Sequence, residues 1–546
     1  MKILHGIPAA AGLAIGPALV LLPTPEVNLN EKRERGDSEE ITRLEDAISQ
    51  AGGMLEQLQQ TVQGSPAEIL AAQREILNDP ELKQGAVELI TAGYSAEAAI
   101  TSIAATYADQ LAQLPDAYLA ARSDDVREAG RRIVAELRGT SAGIQLTQPT
   151  ILVARDLSPA ELVGLDSTLL RAVVTETGSV TGHLAIVAQS LDIPAVVGTR
   201  DALTQITTQE MLIVDGEKGL VTIAPDSKEQ QEAERRLEAA QHERQLLSFY
   251  RDRPGLTADS VPVEVFANIG SLAEARKAVE AGAEGVGLFR TELIAVQGLP
   301  SEEAQYEIYQ EVATLLCKPL IVRTFDIGGD KAVPGLDRPA EENPFLGWRG
   351  IRLSLDKPEE VFLPQLRALL RAAVHHDIRI MLPMVTSVQE VSETIKLIEQ
   401  ARSTLEQEGH SIRDVPLGIM VETPAAALTL DQFEGLIDFV SIGTNDLVQY
   451  TYAVDRTNAQ VSMRAQPLGL ATLRLIKQIC QTRVPVAVCG QMASDPAAIP
   501  LLVGLGVREL SVSPTRVAAT RQILSTLTLA QMQEQAQKAL EGESEL

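Results

Sequence analysis

The sequence predicts an α/β multidomain protein whose largest domain is a C-terminal (β/α)₈ barrel of the TIM type. Three observations lead to this fold class. The chain has 546 residues, which is too long for one ordinary domain. Its second half alternates short apolar, strand-like runs with helical segments. Its first half contains a long helical stretch between two segments that are rich in β-branched residues.

Eight strand-like runs follow one another in the second half. They are VEVFANI (263–269), GVGLFRTE (285–292), LIVRTFDIGG (320–329), IRIMLPMV (378–385), LGIMVETP (417–424), FVSIGTND (439–446), VAVCGQM (486–492) and ELSVS (509–513). Strands that alternate with helices argue for parallel βα units, and eight such units fit a closed barrel. We therefore predict a barrel over residues 256–530, followed by a tail over 531–546.

The first half divides into three further parts. Residues 29–139 repeat apolar side chains at steps of three and four between Gly and Pro breaks, which predicts a helical bundle of four or five helices. Residues 1–28 and 140–225 contain short β-branched runs and predict a small α/β domain into which the bundle is inserted. Residues 226–250 are rich in charge and lack Gly and Pro, so we predict a linker helix within 226–255.

Composition excludes several classes of protein. The net charge of −27 argues against a nucleic-acid binder, which needs a basic surface to replace phosphate counterions. Three scattered cysteines indicate neither a disulfide scaffold nor a structural zinc site, and they favour a reducing, cytoplasmic setting. The uncharged run at 8–23 is shorter than a membrane span and contains Gly and Pro, so we predict a strand–turn–strand segment and no membrane insertion.

Polar or reactive side chains end most of the eight barrel runs. They are Asn268, Arg290, Arg323, Asp326, Glu422, Asn445, Asp446 and Cys489. In a barrel of parallel strands the C-terminal strand ends converge on one mouth, where the active site lies. One or two such residues could be ordinary loop residues, and salt bridges among the charged residues are the alternative interpretation of the set. Because five of the eight strands deliver Arg, Glu, Asp or Asn, we predict a functional site at this mouth.

The residue types at the mouth favour a small phosphorylated carboxylic acid as the ligand. Its predicted charged residues are the cations Arg290, Arg323, Lys331, Arg349 and Arg456 and the anions Glu422 and Asp446. Several guanidinium groups match carboxylate and phosphate oxygens, while two carboxylates with a phosphate co-ligand suit Mg²⁺. The chain contains neither of the two common glycine-rich nucleotide motifs, which argues against ATP. Cys489 could be a buried apolar residue, or it could donate a proton to a carbon with enolate character.

His183 differs from the other five histidines in its predicted position. It follows the strand-like run RAVVTE and a turn rich in Gly, Ser and Thr, and it begins the helix HLAIVAQSL. Free backbone N–H groups at a helix start favour a phosphoryl group, and a neutral imidazole is a nucleophile near pH 7. A helix-capping or buried histidine is the alternative interpretation.

Longer motifs resemble one enzyme family. Residues 178–189, GSVTGHLAIVAQ, resemble the swivelling phosphohistidine domain of enzymes that exchange phosphate with phosphoenolpyruvate. The barrel carries FRTE (289–292), RTFDIGGDK (323–331), NPFLGWRGIR (343–352), GIMVETPAA (418–426), SIGTNDLVQYTYAVDR (441–456) and CGQMA (489–493). With the opening GIPAAAGLAIGPAL and the bundle motif AQREILNDPEL (72–82), the chain resembles the enzyme I family of the phosphoenolpyruvate:sugar phosphotransferase system over residues 5 to about 525.

The resemblance implies a reaction and a set of residues. His183 would take the phosphoryl group of phosphoenolpyruvate, and Cys489 would protonate the leaving enolpyruvate to give pyruvate. The substrate would contact Arg290, Arg323, Lys331, Arg349, Asn445, Asp446 and Arg456, and Mg²⁺ would bind Glu422 and Asp446. The phosphocarrier HPr would dock on the helical bundle and receive the phosphoryl group, and the protein would be a cytoplasmic homodimer joined through its barrels.

The chain departs from the family pattern beside His183. The family usually has a G-G-x-T-S-H run with an arginine shortly after it, whereas here Gly182 precedes the histidine and Gln189 follows. A hydroxyl and a nearby cation are therefore missing. We expect these two departures to affect the rate of transfer, the stability of the phosphohistidine and the choice of acceptor.

Three alternatives stay open on the sequence. A pyruvate-phosphate dikinase or phosphoenolpyruvate synthase resembles the chain in both domains, but it carries an ATP-binding domain that the helical stretch 30–137 cannot form. A variant enzyme I that feeds a nitrogen-regulatory or dihydroxyacetone-kinase relay would match a stand-alone chain of this kind. The third alternative is a catalytically idle regulator that only docks partners. The altered histidine loop is the single feature of the sequence that favours it.

Overall fold

The protein is described here from a computed structural model. The described residues are 2–22, 25, 27–62, 65–113, 122–140, 144–179, 182–296, 298–329, 333–336, 341–458 and 460–542. The chain forms two compact units, Met1–His242 and Glu243–Leu546. Each unit contains its own buried apolar cores.

The first unit is built on a mixed sheet of eight strands within the described residues. The strands are β1 (Lys2–His5), β2 (Ile7–Ala10), β3 (Leu13–Val20), β4 (Thr150–Ala154), β5 (Leu170–Thr175), β6 (Ala195–Val197), β7 (Met211–Asp215) and β8 (Leu220–Ile223). Their order across the sheet is β1-β8-β7-β3-β4-β5-β6-β2. The four strands from β3 to β6 are parallel, and β4 is buried along its whole length. A strand buried on both faces needs a continuous apolar run such as the one that β4 has.

A helical bundle lies in the chain between β3 and β4. Its described helices are α1 (Asp37–Thr61), α2 (Ser65–Leu77), α3 (Pro80–Thr91), α4 (Ala96–Ala112) and α5 (Ser123–Leu137). Leu44, Ile48 and Leu55 on α1 are buried, as expected for one face of an amphipathic helix. They pack with apolar residues of the other four helices in a core of their own.

Short helices complete the α/β part of the first unit. They are α6 (Pro159–Val163), α7 (His183–Ser190) and α8 (Ala202–Gln205). A long helix, α9 (Ser227–Arg251), follows the last strand. Helix α7 follows the parallel strand β5, so its N-terminus lies at the carboxyl end of that strand.

The second unit contains a closed barrel of eight parallel strands, which confirms the predicted fold class. The strands are β9 (Glu264–Ile269), β10 (Val286–Arg290), β11 (Leu320–Arg323), β12 (Ile378–Leu382), β13 (Leu417–Val421), β14 (Phe439–Ile442), β15 (Val486–Val488) and β16 (Glu509–Val512). They pair in sequence order, and β16 closes on β9 through four residue pairs. Each of the eight predicted runs contains one of these strands.

Helices surround the strands of the barrel. They are α10 (Leu272–Glu280), α11 (Glu302–Leu316), α12 (Ile351–Asp356), α13 (Leu363–Ala373), α14 (Val388–Gln407), α15 (Pro424–Leu428), α16 (Thr444–Tyr452), α17 (Leu470–Ile479), α18 (Ala498–Leu505), α19 (Val517–Leu524) and α20 (Leu529–Glu541). Their buried side chains and those of the strands form one large apolar core. Among the described residues, no helix combines the length and the apolar character that a membrane span requires.

The end of the chain differs from the prediction of a tail over 531–546. Most of this segment belongs to helix α20, in which Met532, Ala536 and Ala539 are buried. The apolar period of three and four residues explains why this segment packs instead of extending into solvent. Residues 543–546 lie outside the described part of the chain.

Arg521 joins the end of helix α9 to the barrel. This side chain of α19 is 2% exposed, and its guanidinium donates to the carbonyl oxygens of Tyr250 (3.4 Å), Arg251 (2.5 Å) and Gly282 (2.8 Å). Tyr250 and Arg251 are the last two residues of α9, where helical carbonyl groups lack partners in their own helix. A buried guanidinium therefore satisfies the C-terminal carbonyl groups of this helix.

Candidate active site

His183 is the first residue of helix α7. Gly182 occupies the capping position with an extended backbone (φ −67°, ψ 151°) and supplies no side-chain cap. The imidazole is therefore at the N-terminus of the helix, the end at which backbone N–H groups lack partners within a helix. Val180 and Thr181 of the predicted histidine motif lie outside the described residues.

An aspartate of the helical bundle binds the His183 ring. Nδ1 of His183 lies 3.0 Å from Oδ1 of Asp125, a residue in the first turn of helix α5. The Asp125 side chain is 9% exposed, whereas that of His183 is 44% exposed. The hydrogen bond to Asp125 raises the pKa of His183, and burial opposes that rise. With Nδ1–H donated to Asp125, the lone pair of the neutral ring is on Nε2.

The two departures from the family pattern have visible consequences near His183. Nε2 of Gln189 donates to the carbonyl oxygen of Ala9 at 2.6 Å, so this side chain is tied to strand β2. Gly182 leaves helix α7 without the hydroxyl cap that Ser or Thr would give. Within the described residues, Asp125 is the carboxylate that hydrogen-bonds the His183 ring, and the charges of Arg122 and Asp124 act on its pKa in opposite directions.

The second group of predicted residues converges at the C-terminal ends of the barrel strands. Arg290 and Arg323 are the last residues of β10 and β11, and Glu422 and Cys489 directly follow β13 and β15. Asn445 and Asp446 lie in the first turn of α16, which follows β14. Lys331 lies outside the described residues. The other predicted mouth residues, Arg349 and Arg456, come from loops and are described with their partners below.

Arg323 is held between two carboxylates, those of Asp326, which the sequence analysis placed at the mouth, and Glu292, which it did not. Its Nη2 donates to Oε1 of Glu292 at 2.5 Å, and its Nη1 lies 3.3 Å from Oδ2 of Asp326. All three side chains are buried. Burial by itself would lower the pKa of Arg323, but the two carboxylates raise it above its ordinary value. The guanidinium therefore stays charged and fixed in position.

Arg349 connects Asp326 to Asp446. Its Nη2 lies 2.9 Å from Oδ2 of Asp326, and its Nη1 lies 3.5 Å from Oδ1 of Asp446. Nη1 also donates to the hydroxyl of Tyr450 at 3.2 Å. Gly328 has a φ of +123°, and a Cβ atom there would lie 2.2 Å from the Cβ atom of Arg349, so only glycine fits this approach.

Glu422 is buried in the mouth, with 1% exposure, the same value as Asp326. Its Oε1 accepts from the backbone N–H of Met384 at 2.6 Å, and Met384 adopts a left-handed φ of +57°. Burial raises the pKa of Glu422 to about 8, and the charges of Asp446 and Asp326 add to that rise. A bound cation would remove this penalty, because it favours the charged carboxylate.

The acidic pair fits Mg²⁺. Mg²⁺ commonly takes one or two carboxylates and completes its shell with substrate oxygens and water. Glu422 and Asp446 are both buried and interact electrostatically. No group of three or more His, Cys, Asp or Glu side chains with metal-binding geometry occurs among the described residues, so the protein would supply these two ligands.

Three further mouth residues differ in how many of their polar groups have hydrogen-bond partners: Arg290, Arg456 and Asn445. Nε of Arg290 and Nε of Arg323 are buried and have no hydrogen-bond partner among the described residues, and a bound ligand could accept from such donors. Arg456 is 38% exposed and lies 3.8 Å from Oδ2 of Asp446. Oδ1 of Asn445 accepts from the backbone N–H of Gln491 at 3.0 Å. Arg290 and Arg323 therefore each keep a buried donor for a ligand, and Arg456 is the partly exposed arginine of the mouth.

Cys489 lies at the mouth on an apolar cluster inside the barrel. It is 5% exposed and packs with Leu288, Ile321, Met381, Met420 and Phe439. Burial raises the pKa of its thiol to about 12, and the nearby Ser441 hydroxyl and Arg323 guanidinium oppose that rise. The thiol therefore keeps its proton at neutral pH and can act as a proton donor.

Sequence reasoning missed Asp125, Glu292 and Tyr450, and it did not recognise that Asp326 pairs with arginines. Glu292 lies inside the FRTE motif, and Asp326 lies inside RTFDIGGDK, so their position next to predicted arginines was the available signal. Asp125 lies 58 residues before His183, and nothing in the local sequence links the two residues. The hydroxyl of Tyr450 donates to the carbonyl oxygen of Phe345 at 2.5 Å, a contact that only the fold creates.

A cavity of about 270 Å³ opens at the opposite, N-terminal end of the barrel strands. Its wall includes Ile321, Arg379, Phe439 and Glu509, and it contains none of the predicted site residues. In barrels of this class, residues at that end usually serve stability, whereas the active site is at the C-terminal mouth. We therefore place the candidate active site at the mouth rather than in this cavity.

Comparisons with known proteins identify the family of each part of the chain. Residues 244–529 match the family model of the PEP-binding domain of PEP-utilising enzymes. Residues 5–122 match the N-terminal domain of these enzymes, and residues 146–219 match their mobile domain.

Curated relatives match almost the whole chain. The phosphoenolpyruvate-protein phosphotransferases of Staphylococcus carnosus and Enterococcus faecalis are each 37% identical to it, over 99% of this chain and 96% of the relative. That of Geobacillus stearothermophilus is 38% identical, over 96% of this chain and 93% of the relative. The chain therefore belongs to the PEP-utilising enzymes and, among them, to the phosphoenolpyruvate-protein phosphotransferases, the enzyme I family.

Proposed function

We propose that Nε2 of His183 takes the phosphoryl group from phosphoenolpyruvate, the substrate for which the relatives are named. The contact between Nδ1 of His183 and Asp125 is the observation that carries this proposal. It holds the neutral ring in the tautomer whose Nε2 is a nucleophile. In the transfer, the bond between phosphorus and the enol oxygen breaks, and a bond between phosphorus and Nε2 forms.

The arginines of the mouth would bind the substrate in two ways. Arg290, with its unbonded Nε, and Arg456, which is partly exposed, would contact the phosphate and carboxylate oxygens. Arg323 and Arg349 are already fixed by buried carboxylates, so they would supply positive potential without having to reorganise. Lys331 and Asn445 complete the proposed set, Lys331 on the family resemblance alone.

Glu422 and Asp446 would hold Mg²⁺ together with oxygens of the substrate. When bound, the metal would neutralise negative charge on the phosphoryl group during its transfer. The backbone N–H of Met384 fixes one oxygen of Glu422. A Cβ atom at Gly443 would lie 2.8 Å from the other oxygen, so a glycine keeps room beside that carboxylate.

Cys489 would complete the reaction by protonating the enolpyruvate that leaves. The thiol proton would go to C3 of the enolate, the electrons of the enolate would form the ketone, and water would return a proton to the thiolate. The raised pKa of Cys489 supports this role because the thiol remains protonated at neutral pH. Pyruvate would be the product.

The phosphohistidine would then pass its phosphoryl group to a phosphocarrier, and HPr is the carrier that the resemblance implies. The helical bundle supplies Asp125 beside the histidine, so it is the expected docking region. The resemblance also implies a homodimer joined through the barrel. The three cysteines are free, which agrees with a reducing, cytoplasmic compartment.

The test is to incubate the protein with Mg²⁺ and phosphoenolpyruvate labelled in its phosphate, and to measure acid-labile label on the protein. We expect label on the parent protein and none on a His183→Ala variant. His242→Ala is the matched control, because His242 lies on the charged helix α9 outside both groups of predicted residues. Adding purified HPr should then move the label to HPr.

Two results would contradict the proposal. Label on the His183→Ala variant would mean that another residue is the nucleophile. No label on a folded parent protein that binds phosphoenolpyruvate would mean that the altered loop at Gly182 has disabled transfer, and the interpretation as an idle regulator would replace this one. Label that passes to another carrier but not to HPr would overturn only the choice of acceptor.

A further inference from the structure

Asn268 is a polar residue of the mouth that the proposed reaction does not use. It lies near the C-terminal end of strand β9, and its side-chain amide contacts two other strand ends. Nδ2 donates to the carbonyl oxygen of Cys489 at 3.1 Å and to that of Ser511 at 3.0 Å. Its Oδ1 accepts from the hydroxyl of Ser511 at 2.7 Å. Both N–H groups and the oxygen of the amide are therefore bonded.

The contact to Cys489 begins where regular pairing of the strands ends. Strands β15 and β16 pair through Ala487 with Glu509 and through Val488 with Leu510. Cys489 follows the last paired residue of β15, so its carbonyl oxygen is beyond this ladder. A buried carbonyl group needs a partner, and Asn268 supplies it from a strand that is not a neighbour of β15.

The turn over residues 489–491, which follows β15, is also held by contacts on the side away from Asn268. The backbone N–H of Cys489 donates to the carbonyl oxygen of Ile442 at 3.2 Å, and that of Gln491 donates to Asn445. A Cβ atom at Gly490 would lie 1.9 Å from Oγ1 of Thr444, so the turn packs closely against α16. The segment 489–491 is thus held from β14 and α16 on one side and by Asn268 on the other.

Closure of the barrel does not explain this arrangement. Strands β9 and β16 are already joined by four residue pairs, from Glu264–Glu509 to Ala267–Val512. The bond from Asn268 to Ser511 adds to that pairing, but the bond to Cys489 crosses β16 to reach the next strand. What the second bond fixes is the backbone that carries the thiol.

We infer that Asn268 is a positioning residue for the proton transfer from Cys489. By holding the Cys489 carbonyl, it sets the direction of the Cα–Cβ bond and keeps the thiol over one face of the bound enolpyruvate. General acid catalysis needs this accuracy, since a misplacement of about 1 Å can cost about 100-fold in rate. The inference rests on the proposed role of Cys489 and adds the residue that orients it.

The test measures the stereochemistry of protonation. Phosphoenolpyruvate that carries deuterium at one defined C3 position is converted in tritiated water, so that protonation on one face gives a methyl group of one configuration. We expect the parent protein to form mainly one configuration. In Asn268→Ala, enolpyruvate should escape and take its proton from solvent, so the product should become largely racemic. The kcat of Asn268→Ala for the formation of pyruvate should fall by about 10-fold or more relative to the parent. The KM for phosphoenolpyruvate should change by less than about 3-fold.

Two further variants protect the test against a simple loss of folding. Ser511→Ala removes the hydroxyl bonded to Oδ1 of Asn268 and should give a smaller loss of stereoselectivity. Gln478→Ala is the matched control, because the side-chain amide of Gln478 also donates to a backbone carbonyl, that of Leu428 at 3.3 Å, at an exposed position of helix α17 outside the mouth and the bundle. It should retain the kcat and the stereoselectivity of the parent.

Failure of the inference can be distinguished from failure of the proposed function with Cys489→Ala. A racemic product from Cys489→Ala together with a single configuration from folded Asn268→Ala would overturn the role of Asn268 and leave the role of Cys489 intact. A single configuration from Cys489→Ala would mean that Cys489 is not the proton donor. This result would contradict both the proposed role of Cys489 and the inference about Asn268. Equal loss in the Gln478→Ala control would mean that the effect is not specific to the mouth, which would also contradict the inference.

Discussion

The surroundings of His183 and the mouth of the barrel solve different physical problems. The side chain of His183 is 44% exposed, and among the described residues its Nδ1 contacts the carboxylate of Asp125. Arg323 and Arg349 in the mouth have exposures of 7% and 3% and are each bonded to more than one carboxylate. The nucleophile is therefore accessible and lightly held, whereas the binding site is buried and fixed.

This difference indicates which of the two regions is expected to contribute to the stability of the fold as well as to function. A group that must receive a phosphoryl group and pass it on needs an accessible ring nitrogen, and one contact is enough to set its tautomer. Charges that stabilise a transition state act best when they are fixed beforehand in a site that excludes water. Burying such charges costs free energy, and this cost must be offset by ion pairs and hydrogen bonds with their partners. Changes in the mouth should consequently affect folding and function together, while changes near His183 should affect function alone.

Arg323→Met should produce the largest effect on stability. The substitution removes the cation between the buried carboxylates of Glu292 and Asp326, and breaking a buried ion pair in this way costs about 3–5 kcal/mol. We expect urea unfolding followed in the second unit to show a loss of this size. His183→Ala should change the stability of the first unit by less than about 1 kcal/mol. A similar loss in both variants would remove the distinction between the two regions.

Alkylation of the cysteines should give the next largest difference. Cys317 is exposed, whereas Cys489 is buried and its pKa is raised to about 12. Because the thiolate is the reactive form, iodoacetamide at pH 8 should modify Cys489 more than about 100-fold more slowly than Cys317. Mass spectrometry of the two peptides over time measures this ratio. Comparable rates would mean that the mouth is open to solvent in the free protein.

Asp125→Asn should shift the pH dependence of transfer without a large loss of stability. The Asp125 hydrogen bond raises the pKa of His183, so its removal should lower that pKa and populate the neutral nucleophile at lower pH. The acidic limb of the labelling rate should therefore move to lower pH, and an NMR titration of the His183 ring should move with it. In the parent, this contact stabilises the fold most at low pH, and the gain is lost as the pH rises through the raised pKa. An unchanged acidic limb would contradict the role given to Asp125.

Gly182→Ser should have the smallest effect. A serine at this position can cap helix α7, which is worth a few tenths of a kcal/mol relative to glycine, and it returns the missing hydroxyl beside His183. We expect slower hydrolysis of the phosphohistidine than in Gly182→Ala, the matched control that adds the Cβ atom without the hydroxyl. Equal lifetimes in the two variants would mean that the departure at Gly182 has no chemical consequence.

The sequence was most informative where function follows from the position of a residue on a strand. The strand-end positions of Arg323, Glu422 and Cys489 were readable because parallel strands alternate with helices, and a barrel brings such positions together. Partners across the fold were not readable. The pairing of Asp125 with His183 joins two helices that are distant in the chain, and the bond from Asn268 to Cys489 crosses an intervening strand.

The end of the chain was mispredicted for a related reason. Helix α20 has a polar composition that resembles a tail, and three small or flexible apolar side chains are sufficient to pack it on the barrel. Its stability comes from a surface supplied by residues earlier in the chain. Local composition carries no information about that surface.

The contacts of Arg521 set a practical limit on how the protein can be divided for biophysical work. A fragment that began at residue 256, where the sequence predicts the barrel to start, would lack the carbonyl groups of Tyr250 and Arg251 and would leave a buried guanidinium short of acceptors. One that stopped at residue 530 would also remove most of α20 from the barrel surface. A stable, separately expressed C-terminal unit should therefore begin upstream of Tyr250 and extend through Glu541.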